Sequence, residues 1–174
     1  QPATIDVANE DARSFDTLQY ITFTIGDEEY GVDIMAVREI KGWSEPTVLP
    51  NTPLHMRGVL NLRGEIVPIF DLRCRFDQGR TEATNTHVIV IIAIGDRLVG
   101  TLVDAVSDII SIGRDDVKNV PKMDRQIDTE YLSGLATVKD RMGALLDAEK
   151  LFNIRDVENS ILAGANTALL QAES

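Results

Sequence analysis

The sequence predicts a mostly β protein assembled from two copies of one strand-rich unit, each a small antiparallel barrel. Three observations carry this expectation. Apolar residues alternate with polar ones at the period of a half-buried strand, as where Ile21, Phe23 and Ile25 are set between Thr22 and Thr24. Gly, Asp and Pro interrupt these runs at short, regular intervals. The chain also repeats itself. Ile25-Gly26-Asp27 recurs as Ile94-Gly95-Asp96, and Gly31, Ala36-Val37 and Ile40 recur as Gly100, Ala105-Val106 and Ile109, always 69 residues on. Gly58, Asp71 and Phe76 recur as Gly134, Asp147 and Phe152, 76 residues on. The change of offset places seven added residues in the second copy, in the polar span 114–129.

Taken in order, residues 1–17 are polar, acidic and aperiodic, and read as a flexible tail. A first strand begins at Gln19, Gly26-Asp27 supplies a turn, and Tyr30-Gly31-Val32 opens a second strand. Asp33 then reads as the N-cap of a short helix, IMAVREI, with Ile34, Val37 and Ile40 at helical spacing. MRGVLNLRGEIVPIFDLRCRF (56–76) reads as a strand pair bearing Arg57, Arg63, Arg73 and Arg75. Pro68 cannot donate to a ladder, which points to an edge or a bulge. The polar linker DQGRTEATNT (77–86) separates the copies, giving a domain over 18–155 with barrels at about 18–76 and 87–153. In the second copy Lys139 stands for Arg63 and Ala144 for Pro68. Beyond it, Val157, Ile161, Leu162, Ala165, Ala168 and Leu169 line one face of a C-terminal helix over 156–174.

The net charge of -11 argues against nucleic acid as a partner, because phosphate binding needs a basic footprint. A single cysteine, Cys74, excludes an internal disulfide and a cysteine-based zinc site, and fits a reducing compartment. No run approaches the ~18 apolar residues that cross a bilayer, and no secretory signal opens the chain, so a cytoplasmic protein is expected. No phosphate-cradling Gly-rich loop, H-E-x-x-H or nucleophile elbow occurs, and His55 and His87 lack metal-ligand spacing. No cofactor and no metal are expected. Asp33, Asp71, Asp104 and Asp147 follow apolar runs and read either as caps of the next turn or as acid–base groups if buried together. Capping is the simpler reading, and the chain is not expected to be an enzyme. The arginines fit a nucleic-acid patch beside Phe70 and Phe76, ordinary solvated strand ends, or a protein-docking surface whose guanidinium pairs a partner carboxylate.

ITFTIGDEEYGVDIMAVREI, then NTP, GVLNLRGEIVPIFDLR, VGTLVDAVSDI and TEYLSGLATVKDRM resemble the CheW family of chemotaxis coupling proteins, from about Gln19 to Asn153. The resemblance implies two intertwined five-stranded SH3-like barrels about a pseudo-twofold. It also implies a non-catalytic adaptor that joins chemoreceptor cytoplasmic tips to the histidine kinase CheA, in arrays associated with the membrane but without insertion into it. By similarity, Glu39, Arg63, Val88, Val106 and Ile109 are expected to meet the receptor's helical hairpin in a groove between barrels. Ile21, Ile34 and Val37 are expected to meet the kinase regulatory domain on the first barrel, and Met123 on the other barrel to make a second, kinase-binding ring contact. The alternatives are a CheW-like module of a receiver-bearing protein, an adaptor of a non-chemotaxis array, an acid–base enzyme using Asp71 or Asp147, and a small-ligand binder.

Overall fold

The computed structural model describes residues 17–120, 129–138 and 140–152. The acidic stretch 1–16, Met123, Lys139 and the helix expected over 156–174 lie outside the described residues. Ten strands form two five-stranded sheets: β1 (Thr17–Ile25), β2 (Glu28–Asp33), β3 (Val37–Gly42), β4 (Met56–Leu62), β5 (Glu65–Asp71), β6 (Val88–Ile94), β7 (Arg97–Val103), β8 (Ala105–Gly113), β9 (Leu132–Val138) and β10 (Arg141–Leu146). Short helices α1 (Leu72–Arg75) and α2 (Ala148–Leu151) follow β5 and β10.

The first sheet runs β8-β1-β2-β10-β9 and the second β3-β6-β7-β5-β4. Each sheet therefore takes its first hairpin from one copy and its last three strands from the other. The repeat extends to registers: Ile69 pairs with Gly100 across the parallel β5–β7 junction, and Leu145 with Gly31 across β10–β2. Both glycines leave room for the facing aliphatic chain, since a Cβ on Gly100 would come within 2.5 Å of Ile69 Cδ1. Bulges recur as well. Arg38 of β3 and Ser107 of β8 are equivalent extra residues, as are Arg57 of β4 and Ser133 of β9. No ladder joins the two outer strands of either sheet among the described residues, so these SH3-like barrels are not closed by hydrogen bonds.

Alternation along each strand divides the apolar residues among three clusters. Ile89 and Ile91 of β6 join Val67 and Ile69 on one face of the second sheet. Val90, Ile92 and Ile94 join Phe23, Ile25, Phe70 and Phe76 in a cluster shared by both sheets. A strand buried on both faces reads as a continuous apolar run, which is how β6 is written. Tyr20, Ile112, Ala136 and Leu145 form the corresponding cluster on the first sheet. In β8 the bulge at Ser107 sends Val106 to the shared cluster while Ile110 packs on the first sheet's own, although both positions are even-numbered.

Two expectations from the sequence need correction. The helix over IMAVREI is only a 3-10 turn, Ile34–Ala36, capped by Asp33 accepting from the Met35 amide at 2.9 Å; Val37 already begins β3. The i, i+3 spacing of three β-branched residues does not distinguish one helical turn from a bulged strand, and pairing with β6 decides for the strand. Pro68, in turn, lies buried in an inner strand rather than at an edge. Its partner Val59 bonds Thr47 through both backbone groups at 2.9 Å, so the Val59–Pro68 pair exchanges no hydrogen bond, and on the other side of β5 the pairing with β7 begins only at Ile69.

Of the seven added residues, two fall before Lys118 and five after it. The bridge Thr47–Val59 of the first copy recurs as Lys118–Leu135, offset by 71 on one side and 76 on the other.

Candidate functional site

All four arginines of the 56–76 stretch are engaged within the chain. Arg57 reaches the wholly buried Asp71 at 3.2 Å, donates to the Thr81 carbonyl at 2.6 Å and lies over the Trp43 ring. Arg73 donates to Asp104 at 2.5 Å, and Arg75 sits 4.4 Å above the Tyr131 ring. Arg63 donates to Glu39 at 2.7 Å, yet its side chain stays 78% exposed. Three guanidiniums are thus spent on the fold. Of the four only Arg63 is largely exposed, and it is paired with Glu39, so the stretch lacks the run of free cations that a nucleic-acid patch needs.

Arg63 owes its position to a two-residue hairpin turn in which Arg63 (φ 53) and Gly64 (φ 89) are both left-handed. Asn61 Oδ1 accepts the Gly64 amide at 2.9 Å and closes the turn. Glu39 follows the bulge of β3. Because β3 and β4 are opposite outer strands of the same sheet, the Arg63–Glu39 pair bridges the seam that no ladder closes.

The other sequence-derived positions divide by exposure. Val88 at the start of β6 and Val106 of β8 are half-buried and pack on the shared cluster. Ile109 stands 56% exposed on β8, opposite Ile21 of β1. Ile21 itself is only 4% exposed, Val37 packs on the shared cluster, and Ile34 is half-buried in the 3-10 turn. The structure therefore brings Glu39 into contact with Arg63, and Val88 and Val106 onto one cluster contributed by both sheets.

The four aspartates act as caps and ties. Asp33, Asp71 and Asp147 cap the 3-10 turn, α1 and α2 respectively. Asp104 joins the copies: it accepts the Gly26 amide at 2.7 Å and the Arg73 guanidinium, with His87 Nε2 at 3.4 Å. Sequence reasoning missed this cluster and the Arg57–Asp71–Thr81 tie, because their members are scattered along the chain. Burial works to raise the Asp104 pKa, but the Arg73 and Gly26 hydrogen bonds and the Arg73 and His87 charges outweigh it and hold the carboxyl below its usual range. A depressed folded-state pKa contributes stability that is complete above the unfolded value of about 3.9 and is lost as pH falls through the folded value. Asp104→Asn is therefore expected to lower stability at pH 7 and to flatten the acid limb of the stability–pH curve below about pH 4. Urea unfolding at a series of pH values measures both, and an unchanged acid limb would refute the tie.

Among the described residues no helix is long and apolar enough to cross a membrane, and no group of three or more His, Cys, Asp or Glu could hold a metal ion.

Comparison with known proteins gives this fold and site a context. A family model described as CheW-like domain matches residues 19–156. The chain is 41% identical over 139 residues to the chemotaxis protein CheW of Klebsiella aerogenes, covering 80% of this chain and 84% of the relative. It is 38% identical over 140 residues to a probable chemotaxis protein CheW of Rhizobium etli, covering 80% and 90% respectively. The crystal structure of the scaffolding protein TtCheW from Thermoanaerobacter tengcongensis superposes with a TM-score of 0.72 at 32% identity, covering 78% of this chain and 88% of that one.

Proposed function

The chain belongs to the CheW-like family, and from that premise we propose that it is a non-catalytic cytoplasmic adaptor of a chemotaxis array, linking receptor tips to a CheA-type histidine kinase. The observation that carries this reading is the match of family and fold over most of the chain, in a protein whose candidate acid–base groups are taken up by caps and ion pairs. An adaptor needs two surfaces rather than a reacting centre, and signal passes as a coupling free energy between them. The receptor surface is assigned to Arg63 and Glu39 at the open seam, with Val88, Val106 and the exposed Ile109. The kinase surface is assigned to the turn at Ile34, to Val37 and to the buried Ile21, with Met123 at the second contact.

Arg63→Glu tests the receptor surface. An exposed ion pair contributes little to folding, so the unfolding free energy is expected to change by less than about 1 kcal/mol. Charge reversal at a docking contact costs about 2 kcal/mol or more, so calorimetric affinity for a receptor-tip hairpin is expected to fall well over tenfold. Unchanged affinity would overturn the assignment. Co-purification of the wild-type chain with both a kinase and a receptor tip tests the adaptor reading itself; capture of only one would reduce it to a simpler binding module.

A further inference from the structure

The duplication gives the Asp71 cluster a counterpart, and one member of that counterpart is missing. Arg57 and Ser133 are equivalent bulge residues, in β4 and β9. Arg57 reaches Asp71, the cap of α1. Ser133 is too short to make the matching reach to Asp147, and donates instead to the Leu145 carbonyl at 3.3 Å. The two aspartates are accordingly satisfied to different degrees. Asp71 uses both oxygens: Oδ1 accepts from the Cys74 amide and the Thr81 hydroxyl, and Oδ2 from the Thr81 amide and Arg57. Among the described residues the Asp147 side chain accepts only through Oδ1, from the Glu149 and Lys150 amides that it caps.

A cavity of about 300 Å³ lies beside Ser133 and Asp147, and Tyr20, Val32, Asp33 and Leu146 are among its other lining residues. Among the described residues neither Asp33 nor Asp147 forms an ion pair, and Glu149 at the same cavity forms none either. The first copy therefore holds a guanidinium against its capping aspartate, while the second holds open space beside its own.

We propose that this cavity receives an arginine side chain from a partner protein, which supplies in trans what Arg57 supplies within the first copy. Charge complementarity favours a cation: three carboxylates, Asp33, Asp147 and Glu149, line the cavity, and the chain carries a net charge of -11 that steers basic surfaces toward it. Arginine suits the cavity better than lysine, because its planar fork can donate to more than one carboxylate and Asp33 and Asp147 line the same cavity as the apolar Val32 and Leu146. The inference rests on the duplication and holds whether or not the partner is part of a chemotaxis array.

The test is a titration of the full chain, labelled with nitrogen-15, with the peptide acetyl-Ala-Arg-Ala-amide, and in parallel with its citrulline analogue, an uncharged isostere. Saturable amide shifts at Tyr20, Ser133 and Asp147 are expected with the arginine peptide, and at least tenfold weaker binding with citrulline. Asp147→Asn retains a capping side chain and is expected to weaken the arginine peptide at least tenfold. Ser133→Arg fills the cavity from within and is expected to abolish binding. Equal binding of the two peptides, or shifts indifferent to Asp147→Asn, would overturn the proposal. Binding seen only after Arg13→Gln or Arg155→Gln would assign the cavity to the chain's own termini and overturn the partner assignment.

Discussion

Asp71→Ala is expected to destabilise the chain by about 3–5 kcal/mol, because it leaves a charged partner without compensation inside the fold. Asp71 is fully buried and accepts the Thr81 amide at 2.7 Å, the Thr81 hydroxyl at 2.6 Å and Arg57 at 3.2 Å, besides capping α1. Truncation orphans the Thr81 amide and leaves the Arg57 guanidinium, whose side chain is 14% exposed, with only the Thr81 carbonyl and the Trp43 face. The tie also fixes the linker between the copies, so its loss frees the segment that leads into β6. Asp147→Ala provides the internal control. It removes an equivalent cap with no buried cation attached, and is expected to cost about 1 kcal/mol. Urea unfolding of both variants measures the difference, and equal losses would show that Arg57 contributes nothing beyond the cap.

The repeat at offsets of 69 and 76 residues was legible in the sequence because each matched residue marks a local event. Gly26 and Gly95 form left-handed turns, and Asp71 and Asp147 cap helices, whatever the rest of the chain does. The exchange of hairpins between sheets had no such local mark. It depends on pairings such as Leu145 with Gly31, which are set by packing between distant segments. The same holds for the site. Glu39 and Arg63 could be named one by one, but their contact across the seam joins residues 24 apart and follows from the curl of the sheet. Arg57 was the least readable, since one arginine among four carries no sign that a bulge turns it onto a buried carboxylate.

Gly58→Ala is expected to cost about 3 kcal/mol or more, from left-handed strain added to a backbone collision. Gly58 has φ 139, where a side chain is disfavoured, and a Cβ there would lie 2.3 Å from the Thr47 carbonyl oxygen. The obstacle is main chain, so no rotamer relieves it; the strand at Thr47 has to move. That movement breaks the reciprocal Thr47–Val59 hydrogen bonds, both 2.9 Å, which cover the outer edge of β4. Gly134 holds the matching place in β9, but there the nearest atom to an added Cβ is Val117 Cγ1 at 2.5 Å, with the Lys118 carbonyl oxygen at 3.1 Å. A side-chain methyl can turn away where a carbonyl cannot, and Gly134 is not among the residues of positive φ. Gly134→Ala is therefore expected to cost less than half as much. Thermal unfolding of the pair separates the two cases. If the losses are equal, the strain at Gly58 is not the cause; if Gly58 is the larger, the first copy's edge is held by a backbone contact that only glycine permits.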